Sequence, residues 1–130
     1  MLVDTTYIID IMLNDKAAIR KAQELVDTSS PLIVGAPTIF ELYVGVGLSI
    51  KSQEEQGKIL DVLKSLTHLP LDNQSASRAG FIYAERTRQG RKIDPEDAIL
   101  AGIAIENHQP LLTRNLKDFA GISELRVESY

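Results

Sequence analysis

Five short apolar runs, at positions 2–3, 32–34, 68–71, 110–112 and 125–127, are separated by much longer stretches whose apolar residues recur with helical period. That alternation is the most restrictive feature of the chain. Short strands separated by helices cannot pair through tight hairpins, so they read as an α/β fold with a mostly parallel central sheet covered by helices. Helices are expected over 6–13, 16–26, 38–49, 53–66, 74–89 and 95–106.

Local punctuation sharpens several of these boundaries. Ser52 followed by Glu55 reads as a capping box, the hydroxyl taking an orphan amide and the carboxylate reaching back. Asp94-Pro95 reads as an N-cap with proline at the first helical position, where its missing N–H costs nothing. Gly90 is placed to end the preceding helix. On the 74–89 stretch, Ala76, Ala79, Gly80 and Tyr83 share one face at three-and-four spacing, which predicts close packing of that face on the sheet.

At 130 residues the chain suits one domain spanning 1–130. With no cysteine there is no disulfide framework, zinc ribbon or thiolate nucleophile, so a metal or catalytic site must use oxygen ligands and at most histidine. No run approaches the roughly 18 apolar residues of a membrane span, and the start lacks the pattern of a signal peptide. A cytoplasmic location is expected. The formal charge of −4 argues against a basic coat for gripping nucleic acid, yet leaves room for a local basic patch.

Four acids stand where a structural role explains them poorly. Asp4 directly follows the first strand, at the carboxyl edge where open α/β sheets bind ligands, although it could equally cap the next helix. Glu41 is the only charge in the apolar stretch from Ala36 to Leu48. Thr38 and Gly45 lie one turn away and leave space above a carboxylate expected to be partly buried and unpaired. Asp97 lies in the first turn of the 95–106 helix, where the dipole favours acids, but Asp94, Glu96 and Asp97 exceed what a cap needs. Asp118 falls in a loop after a predicted strand, beside Thr113 and Asn115, two short polar side chains suited to a hydrogen-bonded cluster.

If folding brings these groups within about 4–6 Å, each pair of charges repels by roughly 1 kcal/mol in water and roughly 4 kcal/mol at an effective dielectric of about 20. Such a cluster calls for cations, and an all-oxygen donor set selects Mg²⁺ or Mn²⁺. An ion held this way activates water and meets phosphate oxygens, so the chemistry expected is metal-assisted hydrolysis of a phosphodiester.

The ordered set of Leu2-Val-Asp-Thr-Thr-Tyr-Ile-Ile-Asp10, Glu41 in its apolar helix, Asp94-Pro-Glu-Asp-Ala-Ile-Leu-Ala-Gly-Ile-Ala104 and Leu112-Thr-Arg-Asn-Leu-Lys-Asp-Phe119 resembles the PIN-domain ribonucleases, in particular the VapC-type toxins of toxin–antitoxin pairs. The resemblance implies a three-layer α/β/α fold and Mg²⁺- or Mn²⁺-dependent endonucleolytic cleavage of single-stranded RNA. It also implies a homodimer and inhibition by a cognate antitoxin whose tail covers the active site. The family's acidic quartet, both catalytic and metal-binding, falls on Asp4, Glu41, Asp97 and Asp118, and its supporting polar residues fall on Thr5, Thr6, Thr113 and Asn115. Asp10 resembles a recurrent family position and reads as a supporting acid rather than a ligand, while Asp94 reads as the helix cap and a reserve ligand. Asp-Thr-Thr replaces the more usual Asp-Thr-Asn or Asp-Thr-Ser, and Gly102 stands where alanine is commoner, at about 1 kcal/mol unless close packing uses it.

Between Arg78 and Lys92 five basic residues face one acid, Glu85, which places a positive segment just before Asp94. Arg86, Arg88, Arg91 and Lys92, with Arg114 and Lys117, are therefore candidates for RNA phosphate contact, although a basic helix end also complements the dipole. His68 and His108 lie far from the acids in sequence and suit ordinary structural roles. Two other readings remain: a non-catalytic RNA- or protein-binding module on the same fold, and a PIN nuclease serving RNA processing rather than toxicity.

Overall fold

A computed structural model describes residues 1–130. Five strands, β1 (Leu2–Val3), β2 (Ile33–Gly35), β3 (Thr67–Leu69), β4 (Leu111–Leu112) and β5 (Val127–Glu128), form one sheet in the order β3-β2-β1-β4-β5. Every pairing is parallel. The connections are helical: α1 (Thr5–Met12), α2 (Lys16–Asp27), α3 (Ala36–Leu48), α4 (Ser52–Leu63), α5 (Asn73–Arg88), α6 (Pro95–Glu106) and the single turn α7 (Leu116–Phe119).

The pleat sorts adjacent strand residues into two cores. Val3, Val34 and Leu112 face one side with Tyr7, Ile8, Ala18, Leu25, Leu42, Ile59 and Leu63 of α1 to α4. Leu2, Ile33 and Leu111 face the other with Ile82 of α5, Phe119 of α7 and most of α6. Side chains two apart share a face and neighbours oppose, so these short, wholly buried strands each serve both layers. The result is the expected three-layer α/β/α arrangement.

Strand order also positions the site. The chain moves outward from β1 through β2 to β3, then returns across β1 to lay down β4 on the other side. The connections leaving β1 and β4 therefore diverge, and a crevice opens at their carboxyl ends, the general location of ligand sites in such sheets.

Element boundaries lie within a few residues of expectation, but several local readings change. Ser52 and Glu55 form no capping box: Lys51 occupies the cap position without a side-chain bond, and Glu55 instead faces Lys58 at 3.6 Å. Asp94 holds the cap position of α6 with Pro95 at the first helical position, but its carboxylate accepts from no first-turn amide. Gly90 does end α5, with φ +67°; the Gly90 amide donates to Thr87 and the Arg91 amide to Arg86, closing a left-handed cap of the Schellman type.

The buried face of α5 is Ser75, Ala79, Ile82 and Arg86, rather than the stripe through Ala76, Gly80 and Tyr83. The reason is its partner, α6. This helix is buried nearly all round, between the sheet and α5, with Ala98, Leu100, Ala101, Gly102, Ile103 and Ala104 inaccessible. A methyl group at Gly102 would stand 2.5 Å from the Ser75 carbonyl oxygen and 2.9 Å from the Ala79 nitrogen. Close helix contact thus explains a glycine that helix propensity alone disfavours.

Candidate active site

Asp4 begins the site because β1 ends there. Its backbone is extended and its side chain caps α1, Oδ1 accepting from the Tyr7 amide at 2.9 Å. Oδ2 accepts from the Thr113 hydroxyl at 2.5 Å, and that hydroxyl accepts in turn from the Asn115 amide at 2.9 Å. Thr113 follows β4 directly, so the β1–β4 pairing of Val3 with Leu112 sets this contact. Capping and site building, alternatives in the sequence, are here one role. Asp4 is 8% exposed. Burial pushes its carboxyl above the ordinary range, the Thr113 and Tyr7 bonds oppose that, and Glu41 and Asp10 add to it.

Glu41 comes from α3, which follows β2. It is exposed, contrary to the expected partial burial, because α3 leaves much of its apolar surface open, with Phe40 59% and Leu48 83% exposed. One Glu41 carboxylate oxygen accepts from the Thr5 hydroxyl, which ties α3 to the start of α1. Thr38, one turn earlier, is buried and donates to the Val3 carbonyl at 3.3 Å.

Asp97 lies in the first turn of α6. Burial, followed by the charges of Asp118, Asp94, Glu41 and Asp4, pushes its carboxyl up to about 6. Asp118, Asp94, Glu41 and Asp4 all lie near enough to Asp97 for their charges to act on it. Asp118 sits on α7 rather than in a loop, and its carboxylate accepts from the Asn115 side-chain amide, the short polar cluster expected beside it.

A small cavity of about 80 Å³ at this crevice is lined by Asp4, Thr5, Thr6, Thr38, Glu41 and Asp97 among others, with Glu96 and Asn115 at its wall. Glu96, not singled out from the sequence as a site residue, thus lines the same cavity; its signal was the acid-rich run Asp94 to Asp97. No ion pair engages Asp4, Glu41, Asp97 or Asp118. The donor set is all oxygen, two members are desolvated, and no side-chain cation neutralises them, which suits a hard divalent ion. The carboxylates of Asp4, Glu41 and Asp118 are nonetheless turned toward hydroxyl and amide donors, and no three of the acids are gathered into a metal-holding group.

Asp10 stands apart from the cavity. Arg114 meets it at 3.0 Å and Asp15 at 2.6 Å, and the Tyr130 hydroxyl donates to Asp10 at 2.8 Å. Arg114 also lies over the Tyr130 ring, 4.7 Å from its centroid. Arg114 is thus engaged within the protein. Arg86 is buried and donates to the Asp118 backbone carbonyl, which removes it from the solvent-facing cations. Arg91 donates to the Ala120 carbonyl at 3.0 Å, whereas Arg88, Lys92 and Lys117 are exposed and without ion pairs. The linkage of Tyr130 to Asp10 had no local signal, since it joins the two ends of the chain. Arg86 had one: it continues the spacing of Ser75, Ala79 and Ile82.

Comparison with known proteins matches residues 1–125 to the model of a family described as PIN domain. The chain is 28% identical over 129 residues to the tRNA(fMet)-specific endonuclease VapC of Salmonella typhimurium, covering 99% of this chain and 96% of that protein. It is 31% identical over 99 residues to Ribonuclease VapC2 of Haemophilus influenzae, covering 76% of this chain and 75% of that protein. Among solved structures, DNA-bound VapBC from Salmonella typhimurium is similar at a TM-score of 0.87 and 26% identity, over 98% of this chain and 96% of its counterpart.

Proposed function

The chain belongs to the PIN-domain family and, within it, to the VapC-type ribonucleases, and on that premise we propose that it is a Mg²⁺- or Mn²⁺-dependent endoribonuclease that hydrolyses single-stranded RNA as the toxin of a toxin–antitoxin pair. The observation that carries the metal-dependent reading is Asp97: a desolvated carboxyl, pushed up to about 6 by burial and by four neighbouring acids, with no basic side chain to meet it. Asp4, Glu41, Asp97 and Asp118 would hold the ion.

A bound divalent ion supplies an activated water and charge neutralisation at the phosphate. The protein's own groups supply position. Thr113 and the Tyr7 amide hold both oxygens of Asp4, Thr5 holds Glu41, and Asn115 holds Asp118, so three carboxylates are oriented by donors that are themselves fixed to strand ends. Thr6 lies at the rim of the cavity. Arg88, Lys92 and Lys117 are free to meet the RNA backbone, and their contribution is sequence-independent.

A groove of about 320 Å³ runs from Thr5 and Glu41 between α1, α3 and α4, lined by Ile9, Met12, Leu42, Val46 and Ile59. Its apolar walls, and an acidic end that continues into the crevice, support docking of an antitoxin segment with apolar side chains and a terminal basic group. The VapBC family is described, for VapBC-5 of Mycobacterium tuberculosis, as a family of toxin–antitoxin systems, and we extend that partner to this chain. A homodimer is part of the same proposal. No helix is long and apolar enough to cross a membrane.

Purified protein, freed of any antitoxin, should cut single-stranded RNA with Mg²⁺ or Mn²⁺ and stop with EDTA. Asp4→Asn or Asp97→Asn protein that cleaved as fast as the parent would overturn the reading.

A further inference from the structure

Arg86 is an anomaly on α5. It occupies the last turn of the helix on the face shared with Ser75, Ala79 and Ile82, and it is 4% exposed. A guanidinium has five N–H donors and stays charged, so burial normally demands a carboxylate or several acceptors. Arg86 has neither. No carboxylate lies within ion-pair distance, its Nε has no hydrogen-bond partner, and one Nη donates to a single backbone carbonyl, that of Asp118.

The recipient of that bond is informative. Asp118 sits on α7, a helix of four residues. One turn cannot sustain itself, because nucleation fixes several dihedrals for a single hydrogen bond. Within the turn the Asp118 amide reaches the Asn115 carbonyl at 3.2 Å, and just beyond it the Ile122 amide reaches the Phe119 carbonyl at 3.4 Å, distances at and past the long end of the ordinary range. The segment otherwise rests on Phe119, which is buried in the sheet core. The Asp118 carbonyl is an orphan acceptor of a kind that a short helix end leaves open, and the guanidinium fills it from beneath.

We propose that Arg86 is a positioning residue: from α5 it clamps the backbone of the Asp118 turn, and so sets where the Asp118 carboxylate stands relative to Asp97. The proposal rests on the nuclease reading for its catalytic consequence, but not for its structural one. Arg91 supports the same segment from the next loop by donating to the Ala120 carbonyl at 3.0 Å.

The test compares Arg86→Leu and Arg86→Lys with the parent. Leucine keeps the apolar stem and removes a buried, underpaired charge, so the thermal midpoint should hold or rise. Amide hydrogen exchange at Asp118 and Ile122, measured without divalent ion, should quicken about tenfold or more, while amides of α6 stay unchanged. Cleavage of single-stranded RNA should lose about tenfold in kcat with KM little altered, and lysine should recover part of both losses. Unchanged exchange at Asp118 and Ile122 in a folded Arg86→Leu protein overturns the proposal. So does a kcat equal to the parent's, or quickened exchange spread evenly over the chain. If the parent shows no ribonuclease activity, the functional reading fails and the exchange data still decide the clamp. If Arg86→Leu does not fold, Arg86→Lys carries the same exchange comparison, with an intermediate rate expected and a parental rate overturning the proposal.

Discussion

The Thr113 hydroxyl donates to Asp4 Oδ2 at 2.5 Å across 109 positions of sequence, joining the ends of β1 and β4. Because Asp4 Oδ1 is already taken by the Tyr7 amide, this one bond completes the carboxylate's orientation. Thr113→Val keeps the shape and removes the donor. It should cost about 1–3 kcal/mol of stability, the penalty for a buried acceptor left unmatched. The Thr113 bond favours ionised Asp4, so its loss moves that carboxyl further up. The loss of stability should then be larger at pH 7.5 than at pH 4, where a protonated Asp4 needs the donor less. Urea unfolding at the two pH values measures it; an equal cost at both would contradict the assignment.

Asp97 makes a prediction of its own. Its folded pKa of about 6 lies above the ordinary value of 3.8, so the native state binds the proton more tightly than the unfolded chain. The stability from that proton is fully present below about pH 3.8 and is lost as pH rises through about 6. In EDTA, Asp97→Asn should therefore melt near the parent at pH 4 and above it at pH 7.5. Parallel melting curves at both pH values would count against a strained carboxylate.

Divalent ions should reverse that strain. A ligand at 100 times its Kd stabilises by about 2.7 kcal/mol, roughly 10 °C in midpoint for a domain of this length. Mg²⁺ or Mn²⁺ should raise the parent's midpoint on that scale, K⁺ at equal ionic strength should not, and Asp97→Asn should lose most of the effect. Differential scanning fluorimetry suffices, and an identical shift in parent and variant would remove these carboxylates from the metal site.

Gly102 tests the packing that carries Asp97. Alanine gains about 1 kcal/mol in helix propensity, but its methyl would sit 2.5 Å from the Ser75 carbonyl. The clash should win, because overpacking costs about 1–3 kcal/mol and forces α5 from α6. Gly102→Ala should lower the urea midpoint with an unchanged slope. A higher midpoint would show that the two helices can part freely.

Much of the candidate site was legible because its signals are local. Asp4 follows an apolar pair, Asp97 falls in a first turn marked by proline, and Thr113 and Asn115 bracket the end of a strand. Glu41 was conspicuous by its helix, yet its expected burial failed, because an apolar helix can present its face to a groove instead of a core. The Ser52 capping box failed for a related reason: two plausible residues at the right spacing do not cap when the backbone enters the helix one residue earlier. Arg86 was read as a surface cation because five basic residues lie close in sequence, although its spacing from Ile82 already placed it on the buried side.

The family resemblance implied the three layers and the acidic quartet, and hydrophobic period and punctuation in the sequence alone marked the strands and every helix but α7. Each of those elements is written within a window of a dozen residues. Only the tertiary structure decided which acids meet. The order β3-β2-β1-β4-β5 sets β1 beside β4, brings Thr113 to Asp4, and lets α5 reach the Asp118 turn through Arg86. No local window encodes strand order, because it is settled by the burial of both sheet faces at once, and the candidate site lies at the crevice that this order opens.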